Sequence, residues 1–220
     1  MIYAENILLC IAVPFLTVLY FVRGSVRRFV VAFLLGMAVC LVSAYLGSYL
    51  GMLAGMGDET KVYLSPVVEE LMKFFPLLLY ILLFLPAEKD FFLAAIGIGS
   101  GFATFENCCY ILSFGAGRLS YIMIRGLAVG VMHIVSVLML ALGLVMIRRF
   151  REMSFPGIFG ALSLSVMFHG LYNLLVSEGG VPSYIGYALP LVTAFASVVP
   201  YRYLRDNAGG TARMGEEADT

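Results

Sequence analysis

Charged residues are scarce in this chain. Only 13% of its 220 residues are Asp, Glu, Lys or Arg, whereas 61% are hydrophobic. Soluble domains usually carry about 25% charged residues. Several apolar runs are also long enough to cross the hydrocarbon layer of a membrane. The composition therefore excludes an ordinary soluble domain and indicates a protein embedded in a lipid bilayer.

Several functional signals are absent as well. The basic residues form no stripe along one face, which excludes nucleic acid as a partner. The sequence has no nucleotide-binding loop, no EF-hand loop and no His-Glu-x-x-His zinc helix. Its cysteines lie in apolar stretches without zinc or disulfide spacing, and we expect them to be buried free thiols: Cys10, Cys40, Cys108 and Cys109. Glu5, rather than a basic region, precedes the first apolar run, so we expect a retained first helix.

Seven apolar runs are separated by charged or Gly/Pro-rich breaks, and they predict an all-α fold. We expect a polytopic membrane helix bundle with about seven transmembrane helices, at residues 6–22, 29–53, 64–86, 91–113, 121–147, 155–177 and 183–201. The connections are short, so residues 1–204 are predicted to form one transmembrane domain. Residues 205–220 are predicted to be a polar cytoplasmic tail.

The positions of the basic residues predict how the bundle is oriented. Positive residues are enriched in the cytoplasmic connections of membrane proteins. Ten of the 14 basic residues follow the first, third, fifth and seventh predicted helices: Arg23, Arg27, Arg28, Lys89, Arg148, Arg149, Arg151, Arg202, Arg205 and Arg213. The amino terminus is therefore predicted to lie outside and the carboxyl terminus in the cytoplasm.

Polar residues interrupt four consecutive predicted helices, numbers three to six. A charged side chain at the bilayer centre costs roughly 2.5–3.5 kcal/mol on insertion scales. The interrupting residues are Glu69 and Glu70, then Glu106, then His133, and finally His169 with Asn173. With the predicted orientation, all of them fall in the outer half of the membrane. The sequence therefore predicts that they meet in one buried polar site.

Spacing within the helices predicts local contacts. Residues four apart share a helix face, so Lys73 is expected to pair with Glu69 and leave Glu70 without a counter-charge. His169 and Asn173 are also four apart. Such a pair could position a substrate carbonyl group, bind a metal ion, or join two membrane helices by hydrogen bonds.

Two further features have structural interpretations. Arg125 lies one turn inside the fifth helix, where we expect it to snorkel to the outer interface. Gly97, Gly99 and Gly101 follow one another at alternate positions of the fourth helix. This pattern indicates close helix packing rather than phosphate binding.

The chemistry that suits buried glutamates and histidines best is the activation of water, with or without a metal ion. Peptide hydrolysis near one membrane face requires such a site. An alternative is a proton- or ion-coupled transporter in which the same residues form a relay. The sequence shows no internal repeat of the kind that transporters often have. A third hypothesis is a membrane scaffold without catalytic activity.

Four segments resemble the PrsW family of bacterial intramembrane proteases, whose wider clan includes the type II CAAX prenyl endopeptidases and bacteriocin-immunity relatives. The resemblance covers residues 64 to 175 and rests on segments in a fixed order: Glu69-Glu70-Leu71-Met72-Lys73-Phe74, Gly101-Phe102-Ala103-Thr104-Phe105-Glu106-Asn107, His133, and His169-Gly170-Leu171-Tyr172-Asn173. It implies an all-helical protease in the bacterial plasma membrane. It also implies a substrate, a single-pass membrane protein that is an anti-sigma factor cut near the extracytoplasmic face.

The resemblance further implies a set of catalytic residues: Glu69, Glu70, Glu106, His133, His169 and Asn173. By analogy with the clan, Glu70 and His133 would activate water, whereas His169 and Asn173 would stabilise the oxyanion. The family is called a metalloprotease family, so a divalent metal such as zinc is a candidate cofactor. Its candidate ligands are Glu70, Glu106, His133 and His169. Asn173 stands where an aspartate is common in the family, which favours hydrogen bonding over metal ligation at this position.

Overall fold

A computed structural model describes residues 3–57, 60–114, 117–149 and 154–196. These residues form seven α-helices and one short π-helical segment, so the predicted all-α fold is confirmed. The helices are α1 (Ala4–Val18), α2 (Gly24–Leu53), α3 (Ser65–Phe84), α4 (Glu88–Phe114), α5 (Leu119–Arg149), α6 (Ser154–Ser177) and α7 (Gly180–Ala196), and the π-helical segment is Thr60–Leu64. The predicted tail, residues 205–220, lies outside the described residues.

Four of the described helices are long and apolar enough to cross a membrane: α2, α4, α5 and α6. Helix α3 has 20 residues, but its first half carries Glu69, Glu70 and Lys73. Helix α1 has only 15 residues, and α7 is also short. The chain is therefore a multi-pass membrane protein, while the count of seven spans and the predicted orientation stay predictions.

Glycines on α4 allow close contact with both neighbouring helices. A β-carbon at Gly101 would collide with the backbone of Phe33 on α2. A β-carbon at Gly99 would lie 2.9 Å from the backbone carbonyl oxygen of His133 on α5. The predicted packing function of these glycines is confirmed. Because α4 and α5 touch through their backbones, Glu106 on α4 and His133 on α5 lie side by side.

Apolar side chains surround the polar residues of the bundle. The ring of Phe102 lies 4.7 Å from the ring of His133. The same ring lies 4.2 Å from the amine nitrogen of Lys73. On the other side, Met132 and Phe168 pack in one buried cluster between α5 and α6. Hydrophobic packing therefore covers the part of the polar site around Lys73 and His133, which strengthens the electrostatic interactions there.

The four cysteines are free, as predicted, although their burial differs. Cys40 is buried, and Cys108 and Cys109 are partly buried. The expectation of burial is wrong for Cys10, which is exposed on α1. Helix α1 has no buried residue at all, because it packs on one side of the bundle only.

Candidate active site

Glu70 is the buried residue that connects the helices of the site. Its side chain has no exposed surface, and its Oε1 atom lies 2.7 Å from the Lys73 amine and 2.7 Å from His169 Nδ1. Two hydroxyl groups also donate to the carboxylate, from Ser136 at 3.2 Å and from Ser165 at 2.7 Å. Glu70 thus joins α3 to α5 and α6, and both of its oxygens accept hydrogen bonds from protein donors.

A chain of hydrogen bonds continues from Lys73 through His133 to Glu106. The Lys73 amine lies 2.7 Å from His133 Nδ1, and His133 Nε2 lies 2.5 Å from Glu106 Oε2. An ammonium group can only donate and a carboxylate can only accept. We therefore assign the neutral tautomer of His133 with its proton on Nε2. Both ring nitrogens of His133 are then engaged by protein groups.

The tautomer of His169 follows from the same reasoning. Its Nδ1 atom lies 2.7 Å from a Glu70 oxygen, and a carboxylate requires the proton on that nitrogen. In the neutral ring, Nε2 then carries a lone pair. This nitrogen lies 3.8 Å from Glu69 Oε2, an oxygen that is buried without a hydrogen-bond partner. Glu69 and His169 thus face each other with two unoccupied acceptor atoms.

Arg125 contacts the site instead of snorkelling, so that expectation is wrong. Its guanidinium group lies 3.3 Å from Glu106 Oε1 and 3.5 Å above the ring of Tyr110. Its side chain is only 13% exposed. The guanidinium group is attracted to the carboxylate of Glu106, which is only 3.3 Å away. The side chain therefore stays in the bundle and does not extend to the membrane surface. Arg125 therefore holds Glu106 in place from the side opposite His133.

Two cavities meet at Glu69. The first has a volume of about 600 Å³ and includes Glu69, Glu106, Arg125, His169, Tyr172 and Asn173 in its lining. The second has a volume of about 540 Å³ and includes Ser48, Gly51, Met56, Gly57 and Thr60. Ala44, Ser65 and Glu69 line both cavities. They lie at the end of the bundle where α3 and α5 begin and where α4 and α6 end.

The structure brings together every site residue that the sequence predicted, but with different partners. The expected pair of Lys73 with Glu69 is wrong, because the Lys73 amine contacts Glu70. Glu70 is consequently neutralised, whereas Glu69 lines the cavities. Asn173 also lines the larger cavity. The catalytic functions assigned to these residues stay predictions.

Sequence reasoning missed two serines that bind Glu70. Ser136 follows His133 by three residues on α5, and Ser165 precedes His169 by four residues on α6. Both serines are fully buried. A search for hydroxyl groups three or four residues from each histidine would have found them, because such residues share a helix face.

These observations define a class of protein: an all-helical membrane protein with a buried glutamate–histidine site beside an open cavity. The model of the PrsW family intramembrane metalloproteases matches residues 24–199. The chain therefore belongs to that family and is an intramembrane peptide hydrolase. No curated protein and no solved structure matches the chain.

Membership of a metalloprotease family implies a metal ion, and the described residues can be tested for it. Glu69, His133 and His169 offer ligand atoms within 4.8 Å of one another. Glu69 and His169 fit, because both have an unoccupied acceptor atom and His169 is oriented by a carboxylate in the way that metal-binding histidines are. His133 does not fit, because its lone pair accepts from Lys73.

The described residues thus supply two metal ligands, whereas a catalytic zinc site takes three ligands from the protein. The carboxylates of Glu70 and Glu106, which were also predicted as ligands, are bound by protein donors. His133 would become a ligand through Nδ1 only if the Lys73 amine moved away from that nitrogen. The residues as arranged do not complete a metal site.

Proposed function

We propose that Glu69 and His169 hold the water molecule that hydrolyses a peptide bond of a membrane protein. The observation that carries this proposal is the 3.8 Å separation between Glu69 Oε2 and His169 Nε2, both of them free acceptors. A polar separation beyond 3.5 Å suits a bridging water. A water molecule there would donate one hydrogen bond to each residue, and its oxygen would face the cavity.

In this mechanism Glu69 is the general base. Its carboxylate removes a proton from the water while the water oxygen forms a bond to the carbonyl carbon. The resulting tetrahedral intermediate collapses as its C–N bond breaks, and Glu69 returns the proton to the leaving nitrogen. His169 orients the water through Nε2. Glu70 is a positioning residue, because its bond to Nδ1 fixes that tautomer. A positioned general base typically contributes about 10²–10⁴-fold to the rate.

Cleavage within a chain, rather than at its end, is supported by the two cavities. An extended peptide that crosses Glu69 would continue into open space on both sides, since the carboxylate lies where the cavities meet. Small residues line the second cavity, among them Ser48 and Gly57. These residues leave room for side chains of the substrate.

The substrate that we propose is a single-pass membrane protein, with an anti-sigma factor as the specific candidate. Its support is the resemblance of the four motifs to proteases that act on such factors. The predicted orientation places the cavities in the outer half of the bacterial plasma membrane. Cleavage is therefore expected close to the extracytoplasmic end of the substrate's transmembrane segment. Family membership favours this function over ion transport.

The test is cleavage in liposomes that contain the full-length protein and a single-pass anti-sigma factor. We expect the wild type to release two fragments whose junction, mapped by mass spectrometry, lies near one membrane face. The Glu69→Gln variant should release neither. If the wild type cleaves soluble peptides but no membrane-anchored protein, the proposed substrate class is wrong.

A further inference from the structure

Tyr172, a residue that lines the larger cavity, has a buried hydroxyl group without a hydrogen-bond partner. Tyr172 is only 3% exposed, and its hydroxyl oxygen is buried without a hydrogen bond. Nearly all buried polar groups in folded proteins are hydrogen-bonded, so an exception calls for an explanation. Tyr172 lines the larger cavity together with Glu69 and His169. It follows His169 by three residues, so both lie on one face of α6.

Neither histidine of the site has a free hydrogen-bond donor for the proposed reaction. His169 donates from Nδ1 to Glu70, and neutral His169 therefore has no proton on the nitrogen that faces Glu69. His133 donates its proton to Glu106. The resemblance assigned oxyanion stabilisation to His169 and Asn173, but the neutral ring of His169 cannot donate there. A carbonyl oxygen that gains negative charge requires a donor from another residue.

Among the described residues that line the larger cavity, three have a buried polar atom without a hydrogen-bond partner. They are Glu69, Arg125 and Tyr172. Glu69 is an acceptor, whereas the other two are donors. The guanidinium group of Arg125 is already held by Glu106. Tyr172 thus has the free donor nearest in sequence to His169.

We propose that the Tyr172 hydroxyl donates a hydrogen bond to the carbonyl oxygen of the scissile peptide as it becomes an oxyanion. This inference rests on the proposed function of Glu69 and His169. The ring of Tyr172 is fixed by its buried cluster and by an edge contact with Tyr187 at 6.5 Å. A donor held in place before the reaction loses little in reorganisation, which is what oxyanion stabilisation requires.

The test is the Tyr172→Phe variant, which removes the hydroxyl group and keeps the ring. We expect kcat to fall about 10²- to 10³-fold, the usual loss for one oxyanion donor. KM should change little, because the bond forms mainly in the transition state. The melting temperature should stay the same or rise, since the lost hydroxyl has no partner in the protein. The matched control is Tyr80→Phe, which alters a partly buried tyrosine stacked on Phe91 in the second half of α3 and should retain the wild-type kcat.

Two results would overturn this inference alone. One is a wild-type kcat for Tyr172→Phe in an assay where Glu69→Gln is inactive. The other is a lower melting temperature for Tyr172→Phe, because the hydroxyl would then have a structural function. A wild-type protein without any hydrolytic activity would instead overturn the proposed function and this inference with it.

Discussion

The Glu69→Gln variant is expected to lose about 10²–10⁴-fold in cleavage rate and to keep its fold. Glutamine has nearly the same shape but cannot accept a proton from water. Glu69 Oε2 has no hydrogen-bond partner in the protein, so the substitution breaks no hydrogen bond to that oxygen. The measurement is the single-turnover cleavage rate in liposomes, together with the melting temperature of the purified protein.

The matched control for this variant is Glu88→Gln. Glu88 is exposed at the start of α4, at the opposite end of that helix from Glu106. Its substitution should leave the cleavage rate unchanged. Full activity of a folded Glu69→Gln protein would remove Glu69 from the mechanism.

Substitutions of Glu70 and Lys73 are expected to act mainly on stability. Both side chains are fully buried and lie 2.7 Å apart. Glu70→Gln would leave the Lys73 ammonium without its counter-charge, and Lys73→Met would do the same to the carboxylate. Breaking a buried ion pair by removing one partner costs about 3–5 kcal/mol. Each single variant should therefore lower the free energy of unfolding by about that amount.

The double variant Glu70→Gln/Lys73→Met distinguishes a buried pair from two independent contacts. Because it leaves no unpaired charge, we expect it to recover much of the stability that each single variant loses. Its cleavage rate should remain low, since His169 lacks the carboxylate that fixes its tautomer. Strictly additive losses of stability in this double-mutant cycle would contradict the buried pair.

The helices could be predicted from the sequence because each is an apolar run of suitable length between polar breaks. The predicted and described bounds of α3 to α6 differ by a few residues only. The number of membrane spans is a harder question. Helix α3 is long enough to cross a membrane, but it contains three charged residues. Helix α1 is apolar but has only 15 residues. The local sequence therefore does not decide whether these two helices span the membrane.

The convergence of the polar residues was also predictable, since topology and depth place them together. Their pairing was not. Lys73 is four residues from Glu69 and three from Glu70, and either spacing permits contact on a helix. The choice is made by neighbouring helices. Ser136, Ser165 and His169 all donate to Glu70, so the Lys73 amine joins a carboxylate that other helices already hold in place.

Arg125 illustrates the same limit. A basic residue one turn inside a membrane helix ordinarily extends towards the interface. Here a carboxylate on α4 and the face of Tyr110 lie within reach of the guanidinium group. Neither neighbour is close to Arg125 along the chain, so only the packing of α4 against α5 shows this contact.

The most direct test of the account is a single turnover in water enriched in ¹⁸O. Attack by a water molecule held between Glu69 and His169 places one ¹⁸O atom in the new carboxyl terminus of the substrate. Mass spectrometry measures the ¹⁸O content of the substrate fragment and of the protease peptide that contains Glu69. We predict label in the substrate fragment and none in Glu69. Label in the Glu69 carboxylate would reveal a covalent acyl intermediate on that residue and would contradict general-base catalysis by Glu69.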